Sequence, residues 1–197
     1  MKGRTMAAGA LRSALAALVM VSVPALAGAE TYDVDAVHSA VMFRAKRMDV
    51  VYVYGRFNEF AGTIEMDGND VASGRLTLDV KTASVDTGNQ RRDDHLRSPD
   101  FLNAAQLPLM KFESTGVRSA DDGFYEVTGN LTLHGVTKPV TARVQMVGSG
   151  KDPRAGKSLV GFEGTFTLKR SDFDVKFMVG PVSDTIDVHL ALHTVAR

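Results

Sequence analysis

The stretch GNQRRDDHLRSPDF, residues 88–101, is a dense cluster of charge that sets one histidine among acids and arginines. By type, Arg91, Arg92, Asp93, Asp94, His95 and Arg97 offer a general base, an orienting carboxylate and an anion clamp. The same residues also suit a short solvent-facing helix with no chemistry. Asn89 is a good N-cap, and residues 90–97 can make about two helical turns. Ser98-Pro99 stops them, because the residue before proline avoids the helical region. Asp93 and Arg97 then stand at i and i+4, a weakly favourable pair, and Leu96 is the one apolar side chain in those turns. Nothing in the sequence places a nucleophile or an oxyanion site beside His95. The default reading is therefore a charged helix and turn held by its own hydrogen bonds. A metal site built from His95 with Asp93 or Asp94 is set aside for the same want of partners.

The other histidines are equally poor in partners. His189 and His193 alternate with Val188, Leu190 and Leu192, which puts both on a wet strand face. Four residues apart on a strand is roughly 13 Å, too far to share a metal unless a third element brings them together. His134 reads as outward-facing at a turn. Asp35, His38 and Ser39 contain the types of a catalytic relay, but neighbouring strand residues point to opposite faces. No GxSxG elbow, HExxH pair or phosphate-cradling GxxxxGK occurs. The expected function is non-catalytic, with no cofactor and no metal.

The elements that carry these residues have a period of two. Phe60, Gly62, Ile64 and Met66 alternate with polar or small neighbours, as do Leu76, Leu78 and Val80. The pattern recurs in Val140, Ala142, Val144 and Met146, then in Phe162, Gly164, Phe166 and Leu168, and closes with Ile186, Val188, Leu190 and Leu192. Each is a strand with one dry face. Asp67-Gly68-Asn69-Asp70, Asp121-Asp122-Gly123 and His134-Gly135 join strands in series, and such short turns mean antiparallel neighbours. Pro139 is expected where a strand begins. About eight strands in up-and-down order close most simply into a barrel or fold into a sandwich. Strands of ten or more residues at a barrel tilt give a body roughly 25–30 Å tall, tall for a core filled by side chains alone.

Gly62, Gly129 and Gly164 interrupt three of the dry rows. Such glycines either kink the sheet so that it curls or leave room inside. On the second reading they open a lumen lined by Phe43, Phe60, Ile64, Leu76, Leu78, Phe112, Leu131, Phe162 and Phe166. A narrow, tall, apolar lumen suits a long hydrocarbon chain. The sequence leaves a barrel solid with side chains, serving structure or partner binding, as the other possibility.

Composition narrows the setting. Lys2, Arg4 and Arg12 precede an apolar run over 14–23, and Ala25-Leu26-Ala27 and Ala27-Gly28-Ala29 offer small-x-small cleavage patterns. The run is too short to span a bilayer, so residues 1–29 read as a secretory signal with cleavage after Ala29 or Ala27, and residues 30–197 as one domain. With 23 bases and 23 acids in all, the mature part keeps 20 bases against 23 acids. A mildly acidic domain without a basic block carries no footprint for nucleic acid. No cysteine is present, which excludes disulfides, thiol catalysis and Cys-ligated zinc. The product is expected in the periplasm.

Several stretches resemble the YceI family of secreted bacterial proteins. Tyr32-Asp33-Val34-Asp35-Ala36-Val37-His38-Ser39 with Phe43 is similar to its opening motif, and Gly55–Ile64 to its GxFxxFxGxI strand. Ser84–Gly88, the 88–101 cluster and Pro108–Phe112 resemble its central motif. Gly129–Val140, with the sequence GNLTLHGVTKPV, resembles its most recognisable segment, and Arg170-Ser171-Asp172-Phe173 adds a fifth. The chain departs from the pattern in having Tyr32 where tryptophan is common and Asp174 where glycine is usual. The resemblance implies an all-β, extended, lipocalin-like antiparallel barrel of about eight strands with one short helix. It also implies binding of a long-chain isoprenoid or acyl lipid in an elongated apolar cavity, without established catalysis. A homodimer formed through the long closing strand is a further possibility if the barrel closes imperfectly.

Overall fold

The alternating rows become strands wherever turn residues release the chain at their ends. The structure, a computed structural model, describes residues 28–197, so the signal segment read over 1–29 lies almost wholly outside the described residues. The strands are β1 (Glu30–Val34), β2 (Ala40–Arg47), β3 (Val51–Phe57), β4 (Phe60–Asp67), β5 (Asp70–Lys81) and β6 (Val85–Asp86), and then β7 (Leu109–Ser119), β8 (Phe124–Leu133), β9 (Val136–Lys151), β10 (Ser158–Lys169) and β11 (Val182–Ala196). The single α-helix among the described residues, α1, spans Gln90–Arg97.

Eight of these strands form a closed antiparallel ring in the order β1-β4-β5-β7-β8-β9-β10-β11. The short β1 closes it by pairing on one side with β4, Tyr32 opposite Ile64, and on the other with β11, Tyr32 opposite Ala196. Closure leaves this ring no free edge at that seam. The hairpin β2–β3 continues the wall at one end, β2 pairing with the early part of β11 (Val188 opposite Phe43) ahead of the residues that pair with β1, and β6 adds to β3. The expected meander therefore holds from β4 to β11, while β1 and β2, neighbours in sequence, do not pair. The turn after Asp35 carries the chain from one part of β11 to another instead.

Local chemistry explains the hairpins. The β8–β9 turn places His134 (φ 51°) and Gly135 (φ 77°) in the left-handed region, the geometry of a two-residue hairpin turn. Pro139 lies inside β9 rather than at its start, opposite Asn130. The pairing of β9 with β10 ends at Arg143 and Thr165, so on that side the missing N–H of Pro139 costs no ladder bond.

The helix forms as its residues dictate. The Asn89 side chain accepts from the Arg92 N–H at 3.1 Å, capping the first turn. The buried Asp93 accepts from the Thr87 N–H at 2.9 Å and from the Thr87 hydroxyl, which ties α1 to the strand before it. With the segment 170–181, α1 covers the end of the barrel referred to below as the upper end. Near β1, at the lower end, Tyr32, Met66, Val160 and Phe162 pack in one buried cluster. Burial, and then a 2.6 Å hydrogen bond to Glu30, push the Tyr32 hydroxyl up to about 12.

Candidate functional site

The dry faces do not fill the barrel. An upper cavity of about 190 Å³ is lined by Phe43, Leu78, Phe112, Leu131, Phe166 and further aliphatic side chains. A lower cavity of about 50 Å³ is lined by Ile64, Met66, Val71, Phe162, Gly164 and Leu192, among others. Leu76, Val127, Val144 and Leu190 border both. The two chambers are thus stacked along the lumen and meet at a waist made by these four side chains. An apolar cavity of about 150 Å³ takes a benzene-sized molecule, so the upper chamber has room for a segment of hydrocarbon.

Not every residue expected at the lumen lines it. Phe43, Leu76, Leu78, Phe112, Leu131 and Phe166 border the upper chamber, and Ile64, Leu76, Phe162 and Gly164 the lower. Phe60, Gly62 and Gly129 are outside both linings. Phe60 packs sideways against the cluster around Val41, Phe57 and Val80. At Gly62 a Cβ would come within 2.4 Å of the Thr77 carbonyl oxygen, and at Gly129 within 2.4 Å of Phe112 Cζ and 2.5 Å of the Glu113 carbonyl oxygen. These two glycines permit close approach of a neighbouring strand and a covering side chain, and do not open space. Gly164 alone of the three faces a chamber.

Lys111 and Arg170 border the upper chamber with the apolar parts of their side chains, the Lys111 ammonium standing 3.8 Å from Asp79 Oδ2. Arg170 is 4 % exposed. Its Nε donates to the Ser183 carbonyl at 3.0 Å, Nη1 to those of Val175 and Phe177 at 3.0 and 2.7 Å, and Nη2 to that of Val182 at 3.2 Å. Burial pulls the guanidinium below its ordinary value, partly offset by the nearby charge of Asp184. One cation thus pins the loop that folds over the upper end. No periodicity marks it, and the Arg170-Ser171-Asp172-Phe173 match singled the residue out without attaching this role. By contrast Val140, Ile186 and Val188, which also line the chamber, follow from the parity of their strands.

The 88–101 cluster is engaged in holding that same end. Arg97 Nε and Nη2 donate to the carbonyls of Ala83 and Val85, both at 2.7 Å. Arg92 donates to the Thr87 carbonyl at 2.8 Å, and His95 Nε2 lies 2.9 Å from Asp100 Oδ2. The His95 ring also packs edge-on against Phe101 and Phe177, with centroids 5.0 and 5.4 Å away. Leu96, the apolar residue of the helix, turns inward onto the upper chamber.

Two histidines are partly covered where an open placement was expected. Both ring nitrogens of His134 are buried without a hydrogen-bond partner among the described residues, as is Nδ1 of His193. His193 is carried to Asp35 and His38 by the turn after β1. That juxtaposition was hidden in the sequence because His193 lies 158 residues from Asp35 and 155 from His38.

A closed eight-strand barrel with an apolar lumen and a helix across one end defines a lipocalin-like class of protein. The YceI-like domain matches residues 32–194, and the chain belongs to that family. A UPF0312 protein from Ectopseudomonas mendocina is 40% identical over 191 residues, covering 95% of this chain and all of its own length. Protein YceI from Escherichia coli is 38% identical over 182 residues, covering 92% of this chain and 94% of its own. Among solved structures, BcnA of Burkholderia cenocepacia superposes with a TM-score of 0.73 at 27% identity, over 81% of this chain and 98% of that one. A polyisoprenoid binding domain from Saccharophagus degradans shares the fold with a TM-score of 0.63 at 19% identity, over 84% of this chain and 98% of that one.

Proposed function

We propose that this protein binds and carries a long-chain amphiphilic lipid in the barrel lumen, without catalysis and in the periplasm. A polyisoprenoid of the quinone or polyprenyl type is the cargo that fits best. The observation that carries the reading is the pair of apolar chambers aligned through the waist at Leu76, Val127, Val144 and Leu190. Such a space favours a flexible unbranched or methyl-branched chain over a compact ligand, because apolar contact accrues along its length. The name of the Saccharophagus degradans relative supports an isoprenoid, and the signal-like residues 1–29 support the compartment.

A series of prenyl alcohols of increasing length, titrated against lipid-stripped protein, tests this reading. Affinity should rise with each added isoprene unit and then level off once both chambers are filled. No dependence on chain length would contradict it. His95→Ala should leave the affinity unchanged, whereas an enzyme acting through His95 would lose turnover of a prenyl ester in that variant.

A further inference from the structure

The geometry points to a divalent transition-metal site formed by Asp35, His38 and His193 on the outside of the barrel, where it would clamp the β1–β11 seam. Among the described residues, one oxygen of Asp35 and one nitrogen of each histidine all lie within 4.8 Å of one another. Asp35 Oδ2 is 2.6 Å from His38 Nδ1 and 3.4 Å from His193 Nδ1. In a tetrahedral zinc site with bonds of about 2.0–2.2 Å, neighbouring ligand atoms sit about 3.3 Å apart. The Asp35–His193 pair already has that spacing. The Asp35–His38 pair needs to open by less than about 1 Å, as happens when a metal replaces the proton of a hydrogen bond.

The surroundings hold two of the three ligands in place. The Asp35 N–H donates to the His193 carbonyl at 2.9 Å, and the Val37 N–H donates to Asp35 Oδ1 at 3.0 Å. Ser39 Oγ accepts from the His193 N–H at 2.9 Å and donates back to its carbonyl at 3.3 Å. These bonds orient the Asp35 carboxylate and the His193 backbone before any metal arrives. The third ligand is free to adjust, since the His38 side chain is 68% exposed.

The second observation is His193 Nδ1 itself. This atom is buried although the side chain is 33% exposed, has no hydrogen-bond partner among the described residues, and stands beside the Asp35 carboxylate. A buried imidazole nitrogen without a partner is costly, and a metal would satisfy it. Two imidazoles, one carboxylate and no thiolate suit zinc, copper, nickel or cobalt better than calcium or magnesium. Three protein ligands leave a position for water. In a chain with no cysteine, such a clamp would tie the turn after β1 to the closing strand much as a disulfide would.

The test uses zinc ion alone. Protein treated with chelator and desalted should take up one zinc per chain in calorimetric titration, and its melting temperature should rise as zinc is added. His193→Ala and His38→Ala should each weaken binding by about tenfold or more, and His189→Ala, outward on the same strand, should leave it unchanged. Because His38 is exposed, His38→Ala keeps the test decisive even if His193→Ala fails to fold. Cobalt added in place of zinc should give visible ligand-field bands that both variants lose. Absence of saturable zinc uptake, or uptake unchanged in both variants, would overturn the site. Lipid binding is a separate measurement on the same samples, so failure here leaves the proposed cargo untouched.

Discussion

Gly164 faces Val144 across the β9–β10 ladder, and a Cβ built on Gly164 would lie 3.2 Å from Val144 Cγ2 and 3.9 Å from Leu190 Cβ. Val144 and Leu190 are two of the four side chains at the waist between the chambers. Gly164 is therefore the position at which a side chain would obstruct the lumen without meeting backbone at short range. Gly164→Leu should fold with the cost of overpacking, about 1–3 kcal/mol. Its capacity for a long prenyl chain should fall sharply, while a short one that fits the upper chamber should still bind. Calorimetric titration with both lengths reads the difference, and an unchanged affinity for the long chain would mean that no ligand passes the waist.

Gly129 should behave in the opposite way. A Cβ there would sit 2.5 Å from the Glu113 carbonyl oxygen, which belongs to the paired strand and cannot swing aside. Gly129→Ala should lower stability by about 3 kcal/mol, at the upper end of the overpacking range, as measured by the urea midpoint. The Phe112 ring, 2.4 Å from the same point, would be pushed from its place at the upper chamber. A variant as stable as the parent would show that these strands separate more easily than their register implies.

Arg170 holds the covering loop through four backbone carbonyls, and removing it leaves them without their donor. Each one that stays buried costs about 1–3 kcal/mol, so the loop should open before the barrel does. Arg170→Met should expose residues 174–181 to protease while the far-ultraviolet spectrum stays that of a β protein. Arg170→Lys should not restore protection, because one ammonium cannot reach carbonyls spread around a planar guanidinium. Equal resistance of parent and Arg170→Met would contradict the assignment.

Asp184 makes the upper end sensitive to acid. Hydrogen bonds from the Ser171 hydroxyl at 2.7 Å and the Ser171 N–H at 2.9 Å hold its carboxyl below the ordinary value, against a smaller effect of burial. A folded value below the unfolded one means that the unfolded chain binds more protons in the interval between them. The contribution is thus complete above the unfolded value, about 4, and is lost as pH falls through the folded value. Urea midpoints measured from pH 6 downward should fall less steeply in Asp184→Asn than in the parent. Parallel curves would show that the carboxyl is not perturbed.

Much of this architecture can be read from the chain because a period of two is a local signal. Leu76 and Leu78, Phe162 and Phe166, and Val188 and Leu190 declare their dry face within a few residues. Asn89 and Pro99 bracket α1 in the same local way, and the helix forms over the expected Gln90–Arg97. What was not legible depends on register between distant strands. Gly62, Gly129 and Gly164 look alike in sequence, yet only alignment with β5, β7 and β9 reveals that two of them meet a carbonyl oxygen closely and one faces a chamber. The role of Arg170 and the meeting of Asp35 with His193 were hidden for the same reason, since neither contact leaves a periodic trace. Closure by β1 through two different partners is likewise a property of the ring and not of any one strand.

The central claim, that a long lipid occupies the lumen, is tested most directly by native mass spectrometry of protein secreted to a bacterial periplasm and purified without detergent. The account predicts a discrete mass above that of the bare chain, released on activation as a prenyl or acyl lipid and identified by fragmentation. It also predicts that Gly164→Leu, purified in parallel, carries little or none of that mass. A parent protein found repeatedly as the bare chain, and still bare after incubation with long prenyl lipids, would contradict the account.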